Sequence, residues 1–187
     1  MKPFRLFTIL SFFFLLAVYS CEPSHYEAEK YLQKANNAIR GVIKMEDSLI
    51  VLINASMGES SKTTAIIEEK DSGEKSNYLI NQTINSVHEA FEDSINLALE
   101  KAKELPDFDG NDQVKTSLIT LINVYKNLCL NEYLEIVEVS LIPSILYTEE
   151  DDNKFMQLSA KIDSTLEKNI YDFNQKQKSF LAQYQKK

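Results

Sequence analysis

Apolar residues recur at intervals of three and four positions along four long segments of the chain, with polar residues between them. This spacing puts the apolar residues on one face of an α-helix and is typical of helices that bury a single stripe. The pattern predicts helices over about residues 24–57, 77–105, 113–142 and 149–184. The sequence therefore predicts an all-α fold.

Local signals mark the ends of these helices. Ser24 and Glu27 fit the Ser-x-x-Glu capping box at the start of the first helix. Pro106 and Pro143 predict the ends of the second and third helices, because proline lacks an N–H donor and crowds the preceding turn. Thr148, which is followed by acidic residues, predicts the cap of the fourth.

The connections between the helices favour one topology. Residues 54–76 are small and polar and predict a connection with one short helical turn around residues 64–70, and residues 106–112 predict a turn rich in capping side chains. Short connections on both sides of the third helix make its neighbours antiparallel. We therefore expect an antiparallel up-down-up-down four-helix bundle, and four Gly and four Pro are too few for the turns of an all-β fold.

The N-terminus has the pattern of an export signal. Lys2 and Arg5 precede an apolar run over residues 6–18, which has the length of a signal-peptide core and is too short to span a bilayer. Ser20 before Cys21 resembles the lipobox of bacterial lipoproteins, in which the Cys sulfur receives diacylglycerol and the chain is cut before it. The alternative is an ordinary cysteine after a simple secretory signal.

The lipobox interpretation predicts a signal peptide over residues 1–20 and a lipid-anchored domain over residues 21–187. Acyl chains such as palmitate on Cys21 would hold the domain on a membrane of the bacterial cell envelope without a spanning helix. We expect the outer membrane, on its periplasmic or surface face. Cys129 would be the remaining thiol, so no intramolecular disulfide is expected.

The charge of the chain bears on its partners. The formal net charge is −8, and removal of Lys2 and Arg5 would make the chain more acidic, which argues against nucleic acid as a partner. The predicted topology gathers lysines near the anchored end, where they either face anionic headgroups or complement helix dipoles. These lysines are Lys101, Lys103, Lys176, Lys178, Lys186 and Lys187.

Five short motifs lie after Leu99: Phe108-x-Gly110, Tyr125-Lys126, Glu132-Tyr133, Thr148-Glu149-Glu150-Asp151 and Gln177-x-x-Phe180-x-x-x-Tyr184. They resemble a family of helical bacterial surface or periplasmic lipoproteins of unknown function, of spirochaete and Bacteroidetes type. The resemblance covers roughly the last 90 residues. It implies a lipoprotein helical bundle and supplies no catalytic residues.

Metal and cofactor motifs are incomplete. A di-iron bundle needs Glu-x-x-His pairs, but His25 lies in the first cap and His88 has Asn85 where the Glu would stand. The acidic segment 107–112 lacks the Gly at position six and the Glu at position twelve of an EF-hand loop, so a capped turn is expected there. No metal-binding or cofactor-binding residue is assigned, and no cofactor is expected.

The sequence contains no recognisable arrangement for nucleophilic catalysis. Cys129 lies on an apolar helix stripe, where cysteine usually behaves as a small buried hydrophobe, and the two histidines are remote in sequence and offer no evident base. No catalytic residue is assigned.

Three triplets resemble the acceptor of bacterial O-glycosylation in exported Bacteroidetes-type proteins: Asp47-Ser48-Leu49, Asp93-Ser94-Ile95 and Asp163-Ser164-Thr165. The candidate acceptors are Ser48, Ser94 and Ser164, and the alternative is ordinary helix-surface composition.

These observations predict a non-enzymatic, lipid-anchored envelope protein that acts as an interaction or scaffold module, with an envelope protein as a candidate partner. The alternative is a bundle that binds a small ligand between its helices. Large stripe residues such as Phe91, Tyr125, Phe155 and Phe173 predict a filled core, which favours the first function.

Overall fold

The structure, a computed structural model, describes residues 23–63 and 72–185, with side chains for residues 23–57 and 82–185. The described chain is all-α, as predicted. Its elements are α1 (His25–Thr63), α2 (Ser72–Glu104), α3 (Gln113–Leu128), a π-helix (Cys129–Tyr133), α4 (Leu134–Ser140) and α5 (Glu149–Tyr184). The third predicted helix is therefore a continuous rod with a π-helical segment inside it.

Both predicted N-terminal caps are confirmed. The Ser24 N–H donates to Glu27 Oε2 at 2.7 Å, and the Glu27 N–H donates to Ser24 Oγ at 3.3 Å. At α5 the Thr148 N–H donates to Asp151 Oδ2 at 2.9 Å, and the Asp151 N–H donates to Thr148 Oγ1 at 3.3 Å. Each box satisfies backbone donors that the first helical turn leaves unpaired.

The predicted connection over residues 54–76 is wrong at both ends. α1 continues to Thr63 and α2 already begins at Ser72, while the short turn predicted around residues 64–70 lies outside the described residues. Small polar residues lower helix propensity only slightly, and adding residues to an existing helix costs far less than starting one. Ser56 also contacts α4, since its hydroxyl donates to the carbonyls of Ile53 at 2.8 Å and Ser140 at 3.4 Å.

The helices share one apolar core, in which α1, α2, α3 and α5 all supply fully buried side chains. Three isoleucines fit the apolar spacing of their helices, which predicts burial, but the structure exposes them: Ile43, Ile50 and Ile170. Between described residues, β-type pairing is confined to one bridge, between Phe108 and Asn111.

That bridge closes the turn between α2 and α3. The Phe108 N–H donates to the Asn111 carbonyl at 3.1 Å and the Asn111 N–H donates back at 2.9 Å, with Asp109 at φ 54° and Gly110 at φ 73°. Two positive φ values in succession define a type I′ turn, for which Asp-Gly is a preferred pair. The predicted turn is thus confirmed, but the N-cap residue Asp112 makes no capping hydrogen bond with its side chain; instead, Asn111 Oδ1 accepts from the Gln113 N–H at 2.9 Å.

Candidate functional site

A buried carboxyl group lies near the middle of the helices. Glu46 of α1 is only 8% exposed and accepts a short hydrogen bond from the hydroxyl of Tyr133, and the hydroxyl of Tyr125 also hydrogen-bonds to it. Phe91 of α2 packs edge-on against both rings, with centroid distances of 6.4 Å to Tyr125 and 5.3 Å to Tyr133. We call Glu46, Tyr125 and Tyr133 the tyrosine-glutamate cluster.

Burial dominates the electrostatics of this cluster. Desolvation raises the pKa of Glu46 above 4.5, against the opposing effect of the two tyrosine hydrogen bonds, and the charges of Asp47 and Asp163 raise it further. Desolvation and the neighbouring Glu46 raise the pKa values of Tyr125 and Tyr133. Both phenols therefore stay protonated and act as hydrogen-bond donors to Glu46.

The spacing of the apolar stripe contained a signal for this cluster. Glu46 stands four residues after Val42 and three before Leu49, both fully buried, so it occupies a core position of α1. A charged residue at such a position is rarely buried without a partner. Sequence reasoning missed it because the stripe was followed through its apolar members alone.

The π-helix brings further polar groups to the interior. Glu132 is 6% exposed; its Oε1 pairs with the ammonium of Lys161 on α5, and its Oε2 is buried without a hydrogen-bond partner among the described residues. The hydrogen bond and the charge of Glu132 raise the pKa of Lys161. π-helical segments inside α-helices are often found at functional sites, which makes this region the first candidate.

His88 is remote from Cys129 in sequence but lies beside it in the fold. His88 Nε2 lies 3.0 Å from the carbonyl oxygen of Cys129 and 3.7 Å from its Sγ. The first distance suits a hydrogen bond from the Nε2–H tautomer to the carbonyl. Burial raises the pKa of the Cys129 thiol to about 12, so the thiol stays protonated and this contact does not make it a nucleophile.

A cleft of about 220 Å³ adjoins the tyrosine-glutamate cluster. Its apolar wall joins α1, the π-helix, α4 and α5, and its polar residues lie on α1 and α5. The apolar residues are Ile50, Ile53, Tyr133, Ile136, Phe155 and Ile162, and the polar residues are Asn54, Ser159 and Asp163. The cleft opens to solvent at the edge of the core, where Phe155 is only half-buried.

A second depression, of about 420 Å³, lies between α3 and α5. It is lined mostly by hydroxyl, amide and charged side chains, with Leu121 and Phe173 as its apolar residues. Lys176 lies on it together with Asp112 and Asp172, so it contains charges of both signs.

Residues 141–148, which we call the apical turn, connect α4 to α5. Ile145 is 90% exposed and Leu146 is 66% exposed. The backbone is nevertheless well fixed: the N–H groups of Leu146 and Tyr147 donate to the Pro143 carbonyl at 2.8 and 3.1 Å, and the capping box at Thr148 follows at once. Two large apolar side chains are thus presented to solvent on an ordered segment.

The other residues singled out in the sequence lie apart from one another in the structure. Ser48 and Ser164 are exposed and Ser94 is half-buried; each hydroxyl donates to a carbonyl of its own helix, at 2.9, 3.1 and 2.7 Å respectively. His25 pairs with Glu29 at 3.3 Å. Residues 1–20, which are predicted to be a signal peptide, lie outside the described residues, as do Cys21, Lys186 and Lys187.

Among the described side chains, no three His, Cys, Asp or Glu residues are grouped closely enough to hold a metal ion. No helix within residues 23–63 and 72–185 has the length and apolar character needed to cross a membrane. Comparison of the chain with protein-family models, with curated proteins and with solved structures finds no match.

Proposed function

We propose that this protein is exported, carries lipid on Cys21 and acts at the bacterial cell envelope as a non-enzymatic interaction or scaffold module. Two or three acyl chains, at about 0.8 kcal/mol per buried CH₂, suffice to hold a folded domain on a membrane. Pro23 and the capping box at Ser24 follow the anchor almost directly, so the domain would stand close to the bilayer.

We further propose the up-down-up-down bundle for the domain. Asn36 and Gln177 exchange amide hydrogen bonds of 3.3 and 2.9 Å, which pairs the beginning of α1 with the end of α5. Lys126 of α3 donates to Asn96 of α2 at 3.0 Å, and His88 contacts Cys129, so later residues of α3 meet earlier residues of α2. Both observations support antiparallel neighbours.

The exposed apical turn is the observation that best supports the interaction function. Burying a large aliphatic side chain contributes about 1.5–3 kcal/mol, and Ile145 and Leu146 are left unburied on a fixed backbone. Because α5 is 36 residues long, the turn lies about 54 Å from the opposite end of that helix, where α1 begins. A partner could therefore reach it beyond the membrane surface.

The charges around the turn indicate the chemistry of that partner. Acidic residues follow the turn on α5 and precede it on α4, and those at the start of α5 are Glu149, Glu150, Asp151 and Asp152. Such a rim repels an anionic membrane and a second copy of this acidic chain. We therefore propose a protein partner that offers an apolar pocket with a basic rim.

The test replaces Leu146 by Glu and uses Leu97→Glu as its matched control, since Leu97 is also exposed, at 52%, but lies on α2. A photo-crosslinking residue at position 145 should join the full-length protein in its own membranes to one protein, which is then purified. Leu146→Glu should weaken binding of that purified partner at least tenfold, which is about 1.4 kcal/mol, while Leu97→Glu leaves it unchanged. Equal binding by both variants would overturn the docking proposal.

Anchoring is tested separately by Cys21→Ser. This variant should leave the membrane fraction, whereas Cys129→Ser, which also removes one thiol, should remain there. If Cys21→Ser stays on the membrane as wild type does, the lipid anchor is refuted.

Small-ligand binding is the alternative function, and the cleft beside Tyr133 is the specific observation that favours it. We also propose glycosylation. The exposed side chains of Ser48 and Ser164 make these two serines the favoured acceptors. The denatured mass of the protein from its own host reports any added sugar.

A further inference from the structure

The cleft beside the tyrosine-glutamate cluster has the size of a small metabolite site. Its volume is about 220 Å³, whereas an engineered apolar cavity of about 150 Å³ takes up benzene. One aromatic ring with a short side chain therefore fits, and a drug-sized ligand does not. Two rings of the protein, those of Tyr133 and Phe155, lie on its wall.

The polar side of the cleft is acidic. Asp163 lies on its lining with Asn54 and Ser159. The charge of Asp163, like that of Asp47, also raises the pKa of Glu46, so all three carboxyl groups belong to one acidic region. In the part of the chain with described side chains, the ion pairs involve other residues, and none includes Glu46, Asp47 or Asp163. These carboxyl groups thus form no ion pair with any of the described side chains.

We propose that this cleft binds a small organic monoamine, with its apolar body against Ile53, Tyr133 and Phe155 and its ammonium group at Asp163. The ammonium can donate to the Asp163 carboxylate and to the oxygens of Asn54 and Ser159, while the apolar wall removes the ring from water. A carboxylate ligand would meet like charge, and a neutral ligand would leave Asp163 without a counterion. This inference rests on the ligand-binding alternative above and is independent of the apical turn.

The test compares three probes with a similar body and different charge: 2-phenylethylammonium, 2-phenylethanol and 3-phenylpropionate. The full mature lipoprotein is embedded in phosphatidylcholine nanodiscs, and empty nanodiscs serve as the blank for saturation-transfer NMR titrations. The amine should bind one site per chain. The alcohol should bind about threefold more weakly than the amine, because an exposed ion pair contributes about a threefold gain in affinity. The propionate should bind more weakly still, because its charge has the same sign as that of Asp163.

Two variants locate the site. Ser159→Phe fills the cleft and should abolish amine binding. Asp163→Asn changes an exposed side chain and should weaken the amine about threefold while leaving the alcohol unchanged. Asp93→Asn, an identical change at an exposed position of α2, should have no effect and is the matched control.

The outcomes are distinguishable. Equal binding of amine and alcohol, or an Asp163→Asn variant that binds the amine as wild type does, overturns the proposed charge preference and leaves a neutral apolar site. Failure of all three probes to bind, or full amine binding by a folded Ser159→Phe variant, overturns the cleft as a ligand site altogether.

Discussion

Two groups of aromatic rings in this protein differ in what the rings pack against. At the end where α1 begins, Tyr31, Phe108, Phe180 and Tyr184 pack ring against ring, with centroid distances from 5.1 to 5.6 Å. We call these four residues the aromatic end cluster. In the tyrosine-glutamate cluster, the rings of Tyr125 and Tyr133 instead surround a carboxyl group, and an open cleft adjoins them.

This difference suggests a stabilising role for the aromatic end cluster and a binding role for the tyrosine-glutamate cluster. The aromatic end cluster joins α1, the turn before α3 and α5 through ring contacts, and it buries one polar atom, the Tyr31 hydroxyl, without a hydrogen-bond partner among the described residues. The tyrosine-glutamate cluster carries the cost of burying Glu46 and lies beside Glu132, whose buried Oε2 has no partner among the described residues. The tyrosine-glutamate cluster differs in that it buries a carboxyl group and adjoins a cleft, which makes it the better candidate for a binding role.

Loss of a ring should reveal the contrast most strongly. Phe180→Ala removes a fully buried ring from the aromatic end cluster and should lower the free energy of unfolding by about 3–5 kcal/mol. Phe155→Ala, at the half-buried cleft wall, should cost less than half as much because its site is already partly open. Urea unfolding of both variants measures the difference, and equal losses would refute the division into a packed and an open region.

Removal of a tyrosine hydroxyl should lower the free energy of unfolding when the tyrosine belongs to the tyrosine-glutamate cluster. Tyr133→Phe leaves Glu46 with one hydrogen bond fewer in a buried site and should cost about 1–3 kcal/mol in unfolding experiments. Tyr171→Phe makes the same change on an exposed ring and should be neutral. A neutral Tyr133→Phe would mean that the buried hydrogen bond contributes nothing.

Two glycine substitutions should have opposite signs. Gly110 has φ 73° in the type I′ turn and no atom within 4 Å of an added Cβ, so Gly110→Ala should destabilise by about 1–2 kcal/mol through backbone strain alone. Gly41 lies within α1 with equally open space around it, so Gly41→Ala should stabilise by about 0.5–1 kcal/mol. Thermal unfolding of the pair is the measurement, and effects of the same sign would contradict the assigned turn.

The smallest expected effect is a pH dependence of opposite sign at two carboxyl groups, Glu46 in the tyrosine-glutamate cluster and Glu27 in the capping box at the start of α1. Since burial raises the pKa of Glu46 above 4.5, its contribution to stability is complete below pH 4.5 and is lost as the pH rises through its folded-state pKa. Hydrogen bonds from Ser24 lower the pKa of Glu27, whose contribution is present above pH 4.5 and is lost as the pH falls.

Unfolding free energies of Glu46→Gln and Glu27→Gln, each subtracted from wild type across pH, isolate these contributions. The Glu46 difference should fall with rising pH, and the Glu27 difference should rise. Parallel curves would mean that Glu46 is not in a desolvated site.

Much of the fold was accessible from local sequence signals. The capping boxes at Ser24 and Thr148 and the stop at Pro106 depend on neighbours within a few residues, and all three are confirmed. The continuation of α1 to Thr63 was not accessible, because helix propagation and contacts such as Ser56 with Ser140 overrode a polar composition.

The candidate site was less accessible because it is assembled across distant parts of the chain. Glu46 and Tyr133 are 87 positions apart, and His88 meets Cys129 across 41. Only the charged residue at a core position of α1 hinted at the cluster. The π-helix had no sequence signal in the stripe, since its inward residues also fit ordinary helical spacing, and the cleft depends on packing that spacing does not encode.

The most direct test of the proposed function is mass spectrometry of the protein extracted gently from its own membranes, under denaturing and then native conditions. The account predicts a denatured mass for a chain that begins at an acylated Cys21, and a native mass larger by one protein subunit. That subunit should be absent from the Leu146→Glu variant and present in Leu97→Glu. A chain that retains residues 1–20 with an unmodified Cys21, or a native mass equal to the denatured one, would contradict a lipid-anchored interaction module.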